Sequence, residues 1–157
     1  MGCSWRMNIM KKDRGVSLFE LLVVIAVIAV VSAIVTPSII SWRSSAKLRG
    51  AAGNLKGDLE MSKARAIRER TPVTVTFTAT NYQVTYTDKD GNARILRNRQ
   101  LPAGVRLDLD NTGFGWMGDQ TQFNGRGIPV AGSAVLVNTK GDQKNIIVSA
   151  LGRIRVE

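Results

Sequence analysis

KKDRGVSLFELLVVIAVIAVVSAIVTPSIISW, residues 11 to 42, joins a basic patch to an apolar run that carries a single acid, Glu20, almost at its start. From Leu21 to Val35 every residue except Ser32 is apolar, and the run resumes at Ile39 and Ile40. A helix rises about 1.5 Å per residue, so one from Val16 to Trp42 is long enough for a hydrocarbon core of about 30 Å. The stretch therefore reads as a membrane-spanning helix over 16–42. Arg6, Lys11, Lys12 and Arg14 precede it against Asp13 alone, which keeps the N-terminus cytoplasmic and exports the remainder. Trp42 and Arg43 mark the far interface.

Glu20 needs a reason. An acid at the bilayer centre costs about 2.5 kcal/mol or more, less near an interface, and such a group usually has a partner. A cut after Gly15 supplies one: the new ammonium of Val16, four residues before Glu20, on the same chain or a neighbouring one. A secretory signal peptide cut after Val31-Ser32-Ala33 is the competing reading, and Glu20 argues against it. Residues 1–15 are then a leader, with Met10 the expected working start, since MKKDRG makes a compact basic leader.

Composition narrows the function further. The chain has 157 residues, no His and one cysteine, Cys3, so zinc sites of the usual ligands, His-based triads and internal disulfides are excluded and no cofactor is expected. Its 22 basic and 12 acidic residues give a net charge of +10. The leader takes four bases and one acid with it, leaving 18 and 11, so the exported part stays basic. Such a balance suits a polyanionic partner without naming one.

Beyond Pro37 the helical period continues to about Arg70. Leu48, Ala52, Leu55, Leu59, Ser62 and Ala66 fall on one stripe, which predicts an amphipathic helix over 43–70 packed on a sheet. Gly50, Gly53, Gly57 and Ala64 lie opposite. Each glycine costs up to about 1 kcal/mol in a helix interior, which points either to close packing against neighbouring helices or to a weak helical segment. Thr71 before Pro72 ends the helix. From there the period becomes two, with Val73, Val75, Phe77 and Ala79 alternating with threonines. YQVTYTDKDGNARILRNR reads as a hairpin around Asp90-Gly91, and AVLVNTKGDQKNIIVSALGRIRV as another around Lys140-Gly141-Asp142. The intervening DNTGFGWMGDQTQFNGRGIPVAGS reads as a long loop. The fold expected is α+β: a long N-terminal helix packed on an antiparallel sheet over 72–157, within one exported domain, 43–157.

Several side chains are candidates for function. Arg153 and Arg155 in GRIRV would share a strand face about 7 Å apart, a spacing similar to that of successive phosphates along a nucleic-acid strand, or would simply charge a solvated sheet edge. Arg97 and Arg99 share another face, and Arg126 adds to the basic inventory. Phe114 and Trp116 lie in the loop, either as a contact for a partner or folded over the sheet. DKDGN lacks the later glutamate of a calcium loop and reads as a tight turn. Asp108 and Asp110 would share a strand face but have no nucleophile or base beside them, so no catalytic role is assigned.

The basic leader, glycine before the cut, fifth-position glutamate and late proline of RGVSLFELLVVIAVIAVVSAIVTP resemble the N-terminus of type IV prepilins and type II secretion pseudopilins. MSKARAIRERTPVTV, FNGRGIP and the terminal GRIRV, in that order, resemble the FimT/GspH branch, so the likeness covers most of the chain. It implies prepilin peptidase cleavage between Gly15 and Val16, N-methylation of Val16, and Glu20 pairing with a neighbour's N-terminus during assembly with other pilins. Val16 stands where the family usually has phenylalanine. The resemblance implies storage in the inner membrane as a single-pass protein with its C-terminal domain in the periplasm. For the FimT side it implies binding of double-stranded DNA through Gly152, Arg153 and Arg155, with Arg126, Arg97 and Arg99 adding to the basic face. For the GspH side it implies a secretion-filament tip subunit that does not bind DNA.

Overall fold

The computed structural model describes residues 17–88 and 90–157, and of these the side chains of all but 34–41. Gly15, Val16 and the leader lie outside the described residues. The first element is a single 52-residue helix, α1 (Leu18–Glu69). Ser17 precedes it at the position where a hydroxyl residue favours helix entry, and its carbonyl accepts the Leu21 N–H at 3.1 Å. The chain divides into two compact units, Met1–Ile39 and Ile40–Glu157.

In the first unit every described side chain from Ser17 to Ala33 is exposed, including Leu22, Ile25 and Ile28. Among the described residues no helix is long and apolar enough to cross a membrane. The span expected at 16–42 extends past Ala33 into 34–41, whose side chains are outside the description.

The second unit holds the core. Leu48, Ala52, Leu55, Leu59, Ser62 and Ala66 are all buried, as the 3.6-residue period predicts. They pack on Val73, Val75, Phe77, Tyr82, Val84, Leu107, Phe114, Phe123, Leu136, Ile146 and Val148. Burying a leucine contributes about 1.5–3 kcal/mol, so Leu55 and Leu59, both fully buried, are major anchors of helix on sheet. The buried cluster runs from Leu48 to Ile154 and takes nothing from residues 18–33. Among the described residues the buried core therefore lies within 40–157.

Among the described residues nine strands follow: β1 (Val73–Phe77), β2 (Asn81–Thr87), β3 (Ala93–Gln100), β4 (Val105–Leu107), β5 (Gly113–Phe114), β6 (Gln120–Phe123), β7 (Gly132–Asn138), β8 (Gln143–Val148) and β9 (Ile154–Val156). All pairs are antiparallel, but the strands form two sheets, one ordered β3-β2-β1-β6 and the other β4-β7-β8-β9 with β5 also on β7. The two predicted hairpins are present. Asp88 Oδ1 accepts the N–H groups of Asp90 and Asn92 in the first turn, and Asn138 Oδ1 those of Lys140 and Asp142 in the second.

The region read as a long loop is corrected by β6, which pairs along β1 with Thr121 and Phe123 fully buried. Its alternation is hidden in the sequence because Gln120 and Gln122 separate only two inward residues, one of them threonine. Asp108 and Asp110 are likewise corrected: both lie in the turn after β4 and not on a strand. The helix ends where Arg70 takes a left-handed φ of 54°, just ahead of Thr71-Pro72. At Gly50, Gly53 and Gly57 an added Cβ would meet nothing within 4 Å, so no contact among the described residues demands glycine there.

Candidate functional site

The two arginine pairs sit in different settings. In the β2–β3 register Arg97 lies opposite Val84 and Arg99 opposite Tyr82, both buried, so the two arginines stand on the face that the helix covers. There they meet Asp58, an acid on the buried side of α1 whose side chain is only 8 % exposed. Its Oδ2 accepts from the Tyr82 hydroxyl at 2.7 Å and from Arg99 Nε at 2.9 Å, while Oδ1 lies 3.5 Å from Arg97 Nε. A charge in that position needs such partners, because an unpaired buried carboxylate would carry a large desolvation penalty. Burial, then the bond to Asp58, pushes the Tyr82 hydroxyl pKa well above its ordinary value. The guanidinium's own bond to Asp58 raises the pKa of Arg99. Arg97 and Arg99 are thus engaged in joining helix to sheet.

Arg153 and Arg155 flank the buried Ile154 and both are exposed, Arg153 just ahead of β9 and Arg155 within it. Gly152, at φ 76°, lets the preceding turn close: its N–H donates to Ser149 O at 2.8 Å, and Arg153 N–H to Ser149 Oγ at 3.1 Å. A Cβ on Gly152 would stand 3.0 Å from Lys63 Nζ and 3.2 Å from Gly127 O. Gly127, at φ 80°, presses on Ile67, and Gly125 on the backbone of Arg70. The FNGRG loop and the GRIRV turn therefore converge on the end of α1. Arg126 and Arg70 there line a concavity of about 650 Å³ with Ile67, Asn124 and Gly125, and the GRIRV turn meets the helix beside it at Lys63. Lys63 Nζ donates to Gly152 O at 3.0 Å. Among the described residues none of Lys63, Arg70, Arg126, Arg153 and Arg155 forms an ion pair.

Glu20 is exposed in the first turn of α1. Ser17 and Glu20 also have the spacing of a capping box, so the acid favours its own helix N-terminus as well as any positive partner. Of the loop aromatics, Phe114 folds inward and stacks on Phe77 at 5.2 Å, whereas Trp116 is 82 % exposed. Asp108 accepts from Asn111 Nδ2 at 2.9 Å, which holds its carboxyl below the usual range.

The Asp58 cluster is what sequence reasoning missed. Asp58 falls three residues after Leu55 and four before Ser62, inside the buried stripe, and an acid on an apolar stripe signals a cation across the seam.

Comparison with known proteins adds to this geometry. The family model described as type II transport protein GspH matches residues 51–152, and that of the prokaryotic N-terminal methylation motif matches residues 10–36. No curated protein matches the sequence. Among solved structures, the minor pseudopilin EpsH of the Vibrio cholerae type 2 secretion system is similar at TM-score 0.60 and 13 % identity, over 71 % of this chain and 96 % of that one. Escherichia coli GspH is similar at 0.58 and 15 %, over 71 % and 88 %. The type IV minor pilin FimU of Pseudomonas aeruginosa is similar at 0.56 and 17 %, over 74 % and 92 %. At these identities the structural likeness concerns the fold.

Proposed function

This chain belongs to the GspH family, a family of minor pseudopilins and pilins, and on that premise we propose that it is stored in the inner membrane and processed for entry into a filament. Prepilin peptidase cuts between Gly15 and Val16, the new N-terminus is methylated, and the C-terminal domain faces the periplasm. The observation that carries this reading is the exposed, almost wholly apolar stretch of α1 from Leu18 to Ala33, which coincides with the match to the methylation motif. Apolar side chains exposed on every side of a helix need lipid before assembly and neighbouring helices after it. Glu20 then sets axial register by pairing with the Val16 ammonium of a neighbour.

Intact-mass and N-terminal sequencing of the chain from membranes tests this: a methylated Val16 is expected, and an N-terminus at Ile34 would overturn it. Glu20→Gln separates the two roles of the acid. It keeps a capping side chain and loses the charge, so processing should proceed while incorporation into filaments fails.

A second reading, DNA capture, is favoured by the convergence of Arg126 and Arg153 on the end of α1 without acidic partners. Arg153 and Arg155 take phosphates, Gly152 allows the turn that displays them, and Arg126 extends the surface. Arg97 and Arg99, drawn to Asp58, contribute field more than contact. Salt-dependent binding of the 40–157 segment to double-stranded DNA tests this reading. Its absence would leave assembly with partner pilins as the use of the basic face.

A further inference from the structure

A second basic concavity, of about 360 Å³, lies at the other end of the second unit's part of α1, lined by Arg43, Ser44, Lys47, Ala103, Gly104 and Thr139. We propose that it binds the phosphate of an anionic phospholipid headgroup; the choice of lipid rests on the membrane-anchored reading above.

The lining residues point to an anion. Two cations and two hydroxyls surround the space and no acid lines it. Lys47 Nζ donates to Ala103 O at 3.1 Å, which fixes its ammonium at the wall and leaves two N–H donors. Arg43 is exposed and forms no ion pair among the described residues, so its guanidinium fork is open to two phosphate oxygens at once. The opposite wall is fixed by backbone: Thr139 N–H donates to Gly104 O at 3.0 Å, and the Gly104 α-carbon faces Thr139 closely enough that a Cβ would stand 3.4 Å from its methyl group. Asp142, the acid of the adjoining turn, is already engaged, its Oδ2 accepting from Ser45 Oγ at 3.2 Å and from Asn138 Nδ2 at 2.8 Å.

Position in the chain selects the lipid. Arg43 follows Trp42, the last residue of the expected span, and Ser44 and Lys47 lie within the next helical turn and a half, about 7 Å of rise. Cations at that depth meet headgroups and not bulk solvent, and an exposed tryptophan beside them suits the same interface. A subunit held this way in the membrane has its first globular turn tethered until assembly withdraws it.

The test uses the 40–157 segment, N-terminally acetylated so that the new terminus adds no charge, and vesicles of phosphatidylcholine with and without 30 % phosphatidylglycerol. Co-sedimentation should show partition into the phosphatidylglycerol vesicles. Arg43→Gln with Lys47→Gln should lower it about 30-fold, whereas Lys56→Gln with Arg94→Gln, which removes the same charge at exposed sites outside the lining, should change it less than about two-fold. Equal losses in the two double variants would mean diffuse charge attraction and would overturn the site. Inorganic phosphate titrated at millimolar concentration, followed by the amide resonances of Ser44 and Thr139, distinguishes the sources. Saturation by free phosphate with no preference for phosphatidylglycerol vesicles would overturn the lipid assignment. Fractionation of the full chain separates this from the anchoring itself: wild type absent from membranes sinks the anchored reading, while wild type in membranes without the headgroup preference sinks only this inference.

Discussion

Arg97/Arg99 and Arg153/Arg155 are two arginine pairs with the same spacing, each on an edge strand or its entrance, yet one is built into the fold and the other faces solvent. The i, i+2 spacing fixes that two side chains share a face of a strand. It does not say what the face meets. For Arg97 and Arg99 the answer is Asp58 on α1, at 3.5 and 2.9 Å. For Arg153 and Arg155 no acid answers among the described residues, and the buried Ile154 between them turns both outward. A basic inventory counted from sequence therefore overstates the surface available for a polyanion by the pair that an internal carboxylate has claimed.

The largest expected effect breaks the built-in pair. Asp58→Ala removes the carboxylate that accepts from Arg99 and the Tyr82 hydroxyl and pairs with Arg97, leaving the hydroxyl buried and the guanidinium groups partly so. Losing one side of a buried ionic cluster costs about 3 kcal/mol, discounted towards 2 because Arg97 and Arg99 are 42 % and 32 % exposed. Urea unfolding of the 40–157 segment measures it. A loss below about 0.5 kcal/mol would mean that the cluster adds nothing over water. The same variant releases two guanidinium groups, so DNA binding should hold or strengthen while stability falls, the opposite of what a shared binding surface predicts.

Next in size is Gly127→Ala, which acts on the exposed pair's surroundings. A left-handed φ strains any residue with a Cβ by about 1 kcal/mol, and the new methyl would stand 2.6 Å from Ile67 Cδ1, which has to turn aside. A destabilisation of about 1–2 kcal/mol is expected. If DNA is held where the FNGRG loop meets the GRIRV turn, its affinity falls as well, because the loop carrying Arg126 lifts from the helix. Unchanged affinity in the folded variant would remove Arg126 from the surface.

These two variants also mark where sequence reading succeeds and stops. The stripe from Leu48 to Ala66 was legible because burial repeats at 3.6 residues, and the turns at 88–92 and 138–142 because Asp, Asn and Gly hydrogen-bond or bend the backbone locally. β6 was not legible: it has only two inward residues and lies among glycines. The fourth strand of the first sheet depends on β6 taking the free edge of β1, a pairing between strands more than 40 residues apart that no local pattern records. The basic face was half legible. GRIRV was readable as a strand end with outward arginines, but the packing of Gly125, Gly127 and Gly152 on α1, which joins it to Arg126, is a tertiary fact. Asp58 carried a signal, an acid on an apolar stripe, whose partners only the fold identifies.

A smaller effect concerns acid. Asp88 is held below its ordinary pKa by the Arg94 guanidinium and then by the Asn92 and Asp90 N–H groups of its turn, and Asp108 by Asn111. A depressed folded-state pKa contributes stability that is present above the unfolded value of about 4 and is lost as pH falls through the folded value. The unfolding midpoint of the 40–157 segment should therefore decline as pH is lowered from about 5, and Asp88→Asn should flatten that decline. A decline as steep in the variant as in wild type would assign the acid sensitivity to other carboxylates.

The smallest effect on stability is expected at the exposed pair. Arg153→Ala with Arg155→Ala removes no buried group and no ion pair, so unfolding should shift by less than about 0.5 kcal/mol. Its consequence belongs to binding. Each phosphate neutralised on B-DNA contributes about 0.9 to the slope of log affinity against log salt, so loss of both arginines should lower that slope by about 1.8. Removing Arg97 and Arg99 instead should leave the slope within about 0.5 of wild type, because cations neutralised by Asp58 release few counterions from DNA. Anisotropy titrations across a salt series give both slopes on folded protein. If the two double variants lower the slope equally, the Asp58 pair is as available to DNA as the tail and the contrast between them fails. If neither lowers it, the exposed arginines serve contacts with neighbouring pilins, whose acidic surfaces would then be the partners to seek.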